Sequence, residues 1–346
     1  MESVLTVKDL KTTFYTSSGA VQAVRGISFD VGKGEIVGIV GESGSGKSVS
    51  SMSILRLLPK TAKISPESSV LFGGEDLTKM SGKALRALRG QRISMIFQDP
   101  MSSLNPLITV GKQVEEMIRI HHKEYSREQL RSQALELFRQ VRIPEPEKRF
   151  KEFPHQFSGG MRQRVMIAMA LACEPDILIA DEPTTALDVT IQAQILELMQ
   201  NLQRELGMAI ILITHDLGVV AQMCDEVVVM YAGSICEQGT TDEIFYNPRH
   251  EYTKGLLRSV PSVDTAGKKL QPITGTPIDL LNMPKGCAFA PRCESAMKIC
   301  LTQRCPRMQI NADHQSACWT NVRDGVKDGS IKMEEDENEK EAGDRE

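Results

Sequence analysis

Apolar runs of strand length punctuate the chain. Glu35 to Val40 (EIVGIV) and Ile93 to Phe97 (ISMIF) predict buried strands. Asp176 to Ala180 (DILIA) and Met208 to Ile213 (MAIILI) are continuous rather than alternating, as in a parallel sheet covered on both faces. Glu226 to Met230 and Ser234 to Glu237 flank Ala232-Gly233 and predict a hairpin, and Val70 to Phe72 a short strand ahead of Gly73-Gly74. Val4 to Asp9 and Ile27 to Val31 predict early strands around the turn-rich Thr16 to Gly19. Between Leu107 and Ala170 the period changes. Val110, Val114, Met117 and Ile118, then Leu135, Leu137, Phe138 and Val141, recur at helical spacing and predict an inserted helical subdomain. After Thr253 prolines and glycines mark an extension. The fold class expected is α/β, a mixed sheet core with a helical subdomain and a cysteine-bearing C-terminal extension.

One polar interruption carries chemistry. Gly41-Glu42-Ser43-Gly44-Ser45-Gly46-Lys47-Ser48 fits G-x-x-x-x-G-K-[ST], between the strand ending at Val40 and a helix predicted from Lys47 to Leu58. Its glycines let backbone N–H groups close around phosphate oxygens. Lys47 reaches the outer phosphates and Ser48 can hold Mg²⁺.

Composition narrows the setting. The 346 residues are 41% hydrophobic and 25% charged, ordinary for a globular protein. No apolar run reaches the ~18 residues of a membrane span, and the start MESVLTVKDL lacks the basic and apolar regions of a secretory signal. A cytoplasmic setting is expected, with any membrane role through a partner. Of the net charge of −4, residues 331–346 contribute −5, which leaves +1 elsewhere. That balance does not point to nucleic acid, and the acidic end predicts a solvated, disordered tail over 326–346.

Other polar residues fall at strand ends, the edge where open α/β sheets gather ligands. Asp181 and Glu182 close the DILIA strand; an acid there can share Mg²⁺ with Ser48, and its neighbour can polarise an attacking water. Gln98 follows the ISMIF strand, within reach of Mg²⁺ or that water. His215 follows AIILIT, where a neutral imidazole could bond the γ-phosphate and the water. Ser158-Gly159-Gly160 begin a second helix whose N-terminus can face an anion.

The order GESGSGKS, IFQDPMSSLNP, FSGGMRQR, DILIADEPTTALD, LITHD over residues 4 to 240 resembles the ATPase subunits of ABC transporters. The resemblance implies that Gly41, Ser43, Gly44, Ser45, Gly46, Lys47, Ser48 and Val49 hold ATP, with Phe14 (or the adjacent Tyr15) stacked on adenine. It makes Ser48, Gln98 and Asp181 the Mg²⁺ ligands, Gln98, Glu182 and His215 the catalytic group, Ser158 to Gln163 the signature, and Asp188 part of the D-loop. Met161 replaces the family's signature glutamine. Two such cassettes close head to tail, so Ser158, Gly159 and Gly160 would complete the ATP site of a second ATPase subunit, a paralogue.

QDPMSSLNP, HEYTKGLLRSVP and GCAFAPRC further resemble dipeptide and oligopeptide importers, with Glu251 in place of the usual proline. That implies two membrane permeases, an external binding protein and a place on the cytoplasmic face of the membrane. Nickel or oligosaccharide import, or action on a soluble partner, are the alternatives. The expected division is 1–250 for the ATPase, with 105–170 helical, then 251–325 for the extension.

Five cysteines fall between Cys287 and Cys318, spaced more widely than zinc pairs. Four thiolates in a loop-rich segment suit a [4Fe–4S] cluster. The resemblance implies Cys287, Cys293, Cys300 and Cys318 as ligands, with Cys305 the alternative fourth; zinc or unligated thiols are the other readings.

Overall fold

The computed structural model describes residues 3–98, 103–185, 187–259 and 272–328. Asp99 to Ser102, Ala186 and the acidic tail beyond 328 lie outside them.

Two sheets stack across one apolar core. The larger has the strand order β12-β13-β11-β10-β3-β9-β8-β7. Its centre is parallel: β3 (Ile36–Val40), β7 (Ile93–Ile96), β8 (Ile177–Asp181), β9 (Ala209–Thr214) and β10 (Glu226–Tyr231). All residues of β3, β8 and β9 are buried, which is why these runs are apolar without alternation. β11 (Ser234–Thr240) returns antiparallel to β10 as the predicted hairpin. Ala232 and Gly233 take φ of +47° and +78° in its turn.

The smaller sheet is antiparallel. β1 (Ser3–Thr16) and β2 (Gly19–Gly32) form its long hairpin, with β4 (Ala62–Ile64), β5 (Ser69–Phe72) and β6 (Glu75–Asp76) alongside. These strands outrun the expected Val4–Asp9 and Ile27–Val31 because register shifts between Val7 and Leu10 and between Thr12 and Thr13 break the alternation without ending the pairing.

The first helix is shorter than expected. α1 spans Lys47–Ile54, not Lys47 to Leu58. Arg56 takes φ +51° and donates to the Leu77 and Met80 carbonyls, and Pro59 disfavours helix at Leu58. α2 (Gly82–Leu88) leads into β7. The stretch of helical periodicity carries α3 (Val110–His121), α4 (Arg127–Gln140), α5 (Pro146–Arg149) and α6 (Gly159–Ala170). Val110, Val114, Ile118, Phe138 and Val141 are buried, and α3 packs on both α4 and α6. α7 (Val189–Leu206) and α8 (Leu217–Met223) cover the large sheet, and α9 (Thr241–Tyr246) and α10 (Glu251–Arg258) follow β11.

The C-terminal region adds α11 (Lys298–Thr302), β12 (Met308–Asn311), β13 (His314–Ser316) and α12 (Trp319–Asp328). β13 pairs with β11, so the extension forms one edge of the large sheet. His314, fully buried, lies 2.8 Å from Glu237 of β11 and 3.1 Å from Glu243 of α9.

Candidate active site

The parallel strands place their C-terminal ends side by side, and the predicted polar residues meet there. Gly41 opens the phosphate loop at φ +151°; a Cβ on it would sit 2.2 Å from the Met230 carbonyl oxygen. Gly46 closes the loop at φ +101°, and its Cβ would sit 2.5 Å from the Ala23 oxygen. Only glycine fits either position. Lys47 is 5% exposed, and its ammonium donates to the carbonyls of Gly41 at 2.7 Å and Glu42 at 3.0 Å. Burial lowers its pKa against the pull of Glu182 and Asp181. Ser45 Oγ is buried without a hydrogen-bond partner. A buried hydroxyl left unpaired is costly, and in a glycine-lined cradle beside a lysine it fits a phosphate oxygen.

Ser48 Oγ donates to Asp181 Oδ1 at 3.0 Å, the pair expected around Mg²⁺. Burial raises the Asp181 pKa, and Glu182 adds to it. A divalent cation between Ser48 and Asp181 would reverse that shift. Glu182 sits at φ +47°, a strained conformation for a side-chain-bearing residue. Its carboxylate accepts from Gln98 Nε2 at 2.9 Å and Thr185 Oγ1 at 2.8 Å, and lies 3.3 Å from His215 Nδ1. Burial pushes its pKa up, but the bonds from Thr185, His215 and Gln98 prevail and leave it below the ordinary value. Glu182 is thus held ionised and aimed, as a base that activates water must be. Gln98 bonds Glu182 here rather than the Ser48–Asp181 pair.

Other predicted residues stand apart from this cluster. Ser158 caps α6 by accepting from Met161 N at 3.3 Å. Ser158 and Gly159 are exposed, and no hydrogen bond among the described residues joins them to the phosphate loop. Gly160 packs so closely on Ile191 that a Cβ would meet its Cγ2 at 2.5 Å. Asp188 caps α7. Val49 is partly buried against the small-sheet core. Phe14 is half-buried in β1, whereas Tyr15 is 54% exposed beneath the Lys63 ammonium.

Cys287, Cys293, Cys300 and Cys318 line one small cavity with Phe289, Trp319 and His250. Cys305 instead lines a neighbouring pocket with Cys236 and Cys287. Burial pushes the thiol of Cys293 up to about 11 and that of Cys305 to about 12. All eight cysteines are free, and among the described residues no three His, Cys, Asp or Glu side chains are placed to hold a metal ion.

Sequence reasoning passed over Thr185 and three further residues. Glu42, a variable position of the phosphate loop, is gripped by Tyr252 and Arg292. They lie inside the segments HEYTKGLL and GCAFAPRC; an arginine closing the apolar run AFAP was the one local signal, and nothing around Tyr252 marked it.

Comparison with known proteins shows the family. Residues 24–185 match the ABC transporter family, and residues 236–300 match the C-terminal region of oligopeptide/dipeptide transporters. The chain is 56% identical to the dipeptide transport ATP-binding protein DppD of Bacillus subtilis, over 92% of this chain and 95% of that one. It is 55% identical to the oligopeptide transport ATP-binding protein OppD of the same organism, over 91% and 88%. Among solved structures, a dimeric ATP-binding cassette in a post-hydrolysis state with ADP and Pi aligns with a TM-score of 0.62 at 29% identity. That alignment covers 68% of this chain and 98% of the cassette.

Proposed function

The chain belongs to the ABC transporter ATPase family, and we propose that its task there is to power import of di- and oligopeptides through partner membrane permeases. The observation that carries the chemistry is the sheet edge: Ser48 paired with Asp181, and Glu182 held by Gln98, Thr185 and His215. Hydrolysis is in-line attack of water on the γ-phosphate. Glu182 takes the water's proton, His215 and Gln98 orient Glu182 and the water, Ser48 and Asp181 would hold Mg²⁺, which would supply positive charge to the phosphate oxygens, and the Lys47 cation draws the outer phosphates. Gly41, Ser43, Gly44, Ser45, Gly46 and Val49 shape the cradle, and Phe14, with Tyr15 the more exposed alternative, stacks on adenine.

The exposed signature turn supports a shared site. Ser158, Gly159 and Gly160 serve the ATP bound to a second ATPase subunit, a paralogue, and ATP closes the pair while hydrolysis opens it. Residues 1–250 form the ATPase unit, with 105–170 as its helical part; 251–325 form the importer-type extension and 326–346 its tail. Among the described residues no helix is long and apolar enough to cross a membrane. On the importer reading its place is peripheral, on the cytoplasmic face, against the permeases and indirectly served by a binding protein. Co-purification of both permeases with the tagged chain, and loss of growth on peptides as sole amino-acid source when the gene is deleted, are expected. Growth on peptides unchanged by deletion, with no permease recovered alongside the tagged chain, would refute peptide import.

The cysteine cavity suits a [4Fe–4S] cluster in residue type alone: Cys287, Cys293, Cys300 and Cys318 all line it, and among the described residues no three of them are placed to hold a metal ion as they stand. Cys287, Cys293, Cys300 and Cys318 would hold it, supplying a covalent staple for a loop-rich segment. Anaerobically purified protein should absorb near ~400 nm, the region of thiolate–iron charge transfer. A folded, colourless, iron-free sample would dismiss the cluster.

A further inference from the structure

Glu42 is held from three directions. Both terminal nitrogens of Arg292 grip its carboxylate, at 2.5 and 2.9 Å. Its backbone N–H donates to the buried Tyr252 hydroxyl at 2.8 Å. Its carbonyl accepts from Lys47 Nζ at 3.0 Å and from Ser45 N at 3.2 Å. One residue thus joins the phosphate-seeking lysine to two segments more than 200 positions away.

Arg292 is itself fixed. Its side chain is 4% exposed. Nε donates to the Thr274 carbonyl at 3.0 Å, and the guanidinium lies 5.9 Å from the ring centres of Tyr231 and Phe289. Its stem packs on Gly275, where a Cβ would meet Cγ at 3.4 Å. The chain then runs on to Pro277–Leu280, which line a pocket together with Glu42, Ser43, Gly44 and Ser45. Arg292 stands between Cys287 and Cys293, so the cysteine segment and the phosphate loop share this one side chain.

A buried ion pair contributes little net stability, because desolvation offsets the attraction. What a bidentate fork supplies is geometry. We propose that Arg292 is a positioning residue for nucleotide binding: through Glu42 it sets the conformation of the phosphate loop and ties ATP affinity to the C-terminal segment. The inference rests on the phosphate-loop reading above.

The test is equilibrium ATP binding to the full chain without Mg²⁺, with the thermal midpoint measured in parallel. Arg292→Lys keeps the charge but cannot fork; it and Glu42→Gln are each expected to weaken ATP binding by roughly five- to tenfold. The double variant should bind no more weakly than either single variant, because both break one link. A role confined to stability would lower the midpoint and leave the affinity of the folded protein at the parent value. That result, or losses that multiply in the double variant, overturns the proposal. Absence of ATP binding by the parent would instead overturn the phosphate-loop reading.

Discussion

The sheet edge and the cysteine cavity are both lined by titratable side chains, and they solve burial in opposite ways. At the sheet edge, donors surround the acid. Thr185, Gln98 and His215 outweigh burial and keep Glu182 charged. In the cavity, burial acts almost unopposed. The Cys293 thiol is pushed up to about 11, and His250, which lines the same cavity, is pushed down to about 4. The first region holds its acid charged, whereas burial in the second favours the neutral forms of Cys287, Cys293 and His250. A glutamate and a cysteine cluster thus signify little by residue type alone. Donors that oppose burial set the charge of Glu182, and burial sets that of the shifted thiols.

The largest test removes the cation from the charged region. Lys47→Ala should abolish measurable ATP binding in titration calorimetry at nucleotide concentrations that saturate the parent. Retained tight binding would mean that the backbone cradle holds phosphate without it.

A second test addresses the neutral region through pH. In the unfolded chain His250 titrates near 6.5, whereas in the fold burial holds it at about 4. Its folded pKa is depressed, so between pH 6.5 and 4 the unfolded chain binds more protons and stability falls as pH falls. From pH 7 to pH 5 this group alone costs about 2 kcal/mol. His250→Asn, whose Oδ1 takes the place of Nδ1 and can still accept from Tyr252 N, should flatten that slope in denaturant melts. An equal slope in parent and variant would show that His250 is not held neutral.

The smallest test concerns the rim of the charged region. Phe14→Ala should weaken ATP binding roughly tenfold, the scale of one base–aromatic stack. A larger loss in Tyr15→Ala would move the stacking role to the exposed neighbour.

How much of this was legible in the sequence follows the range of the contacts. The phosphate loop, Asp181-Glu182, Gln98 and His215 each sit at the end of an apolar run, so a local pattern locates them and parallel pairing brings them together. The span of β1 and β2 was not legible, because bulges at Val7–Leu10 and Thr12–Thr13 shift the alternation. The β12–β13 hairpin was not foreseen: only its pairing with β11 and the burial of His314 between Glu237 and Glu243 fix it. The Glu42–Arg292 fork spans 250 positions, and no local pattern encodes such a contact.

The central claim is that Glu182 activates water in a site two ATPase subunits share. Its most direct measurement is the steady-state turnover and ATP occupancy of Glu182→Gln assembled with its partners. ATP should be retained in a closed pair and turnover should be lower by roughly 10²-fold or more, the scale of losing an acid–base group. Hydrolysis at the parent rate with no trapped nucleotide would contradict it.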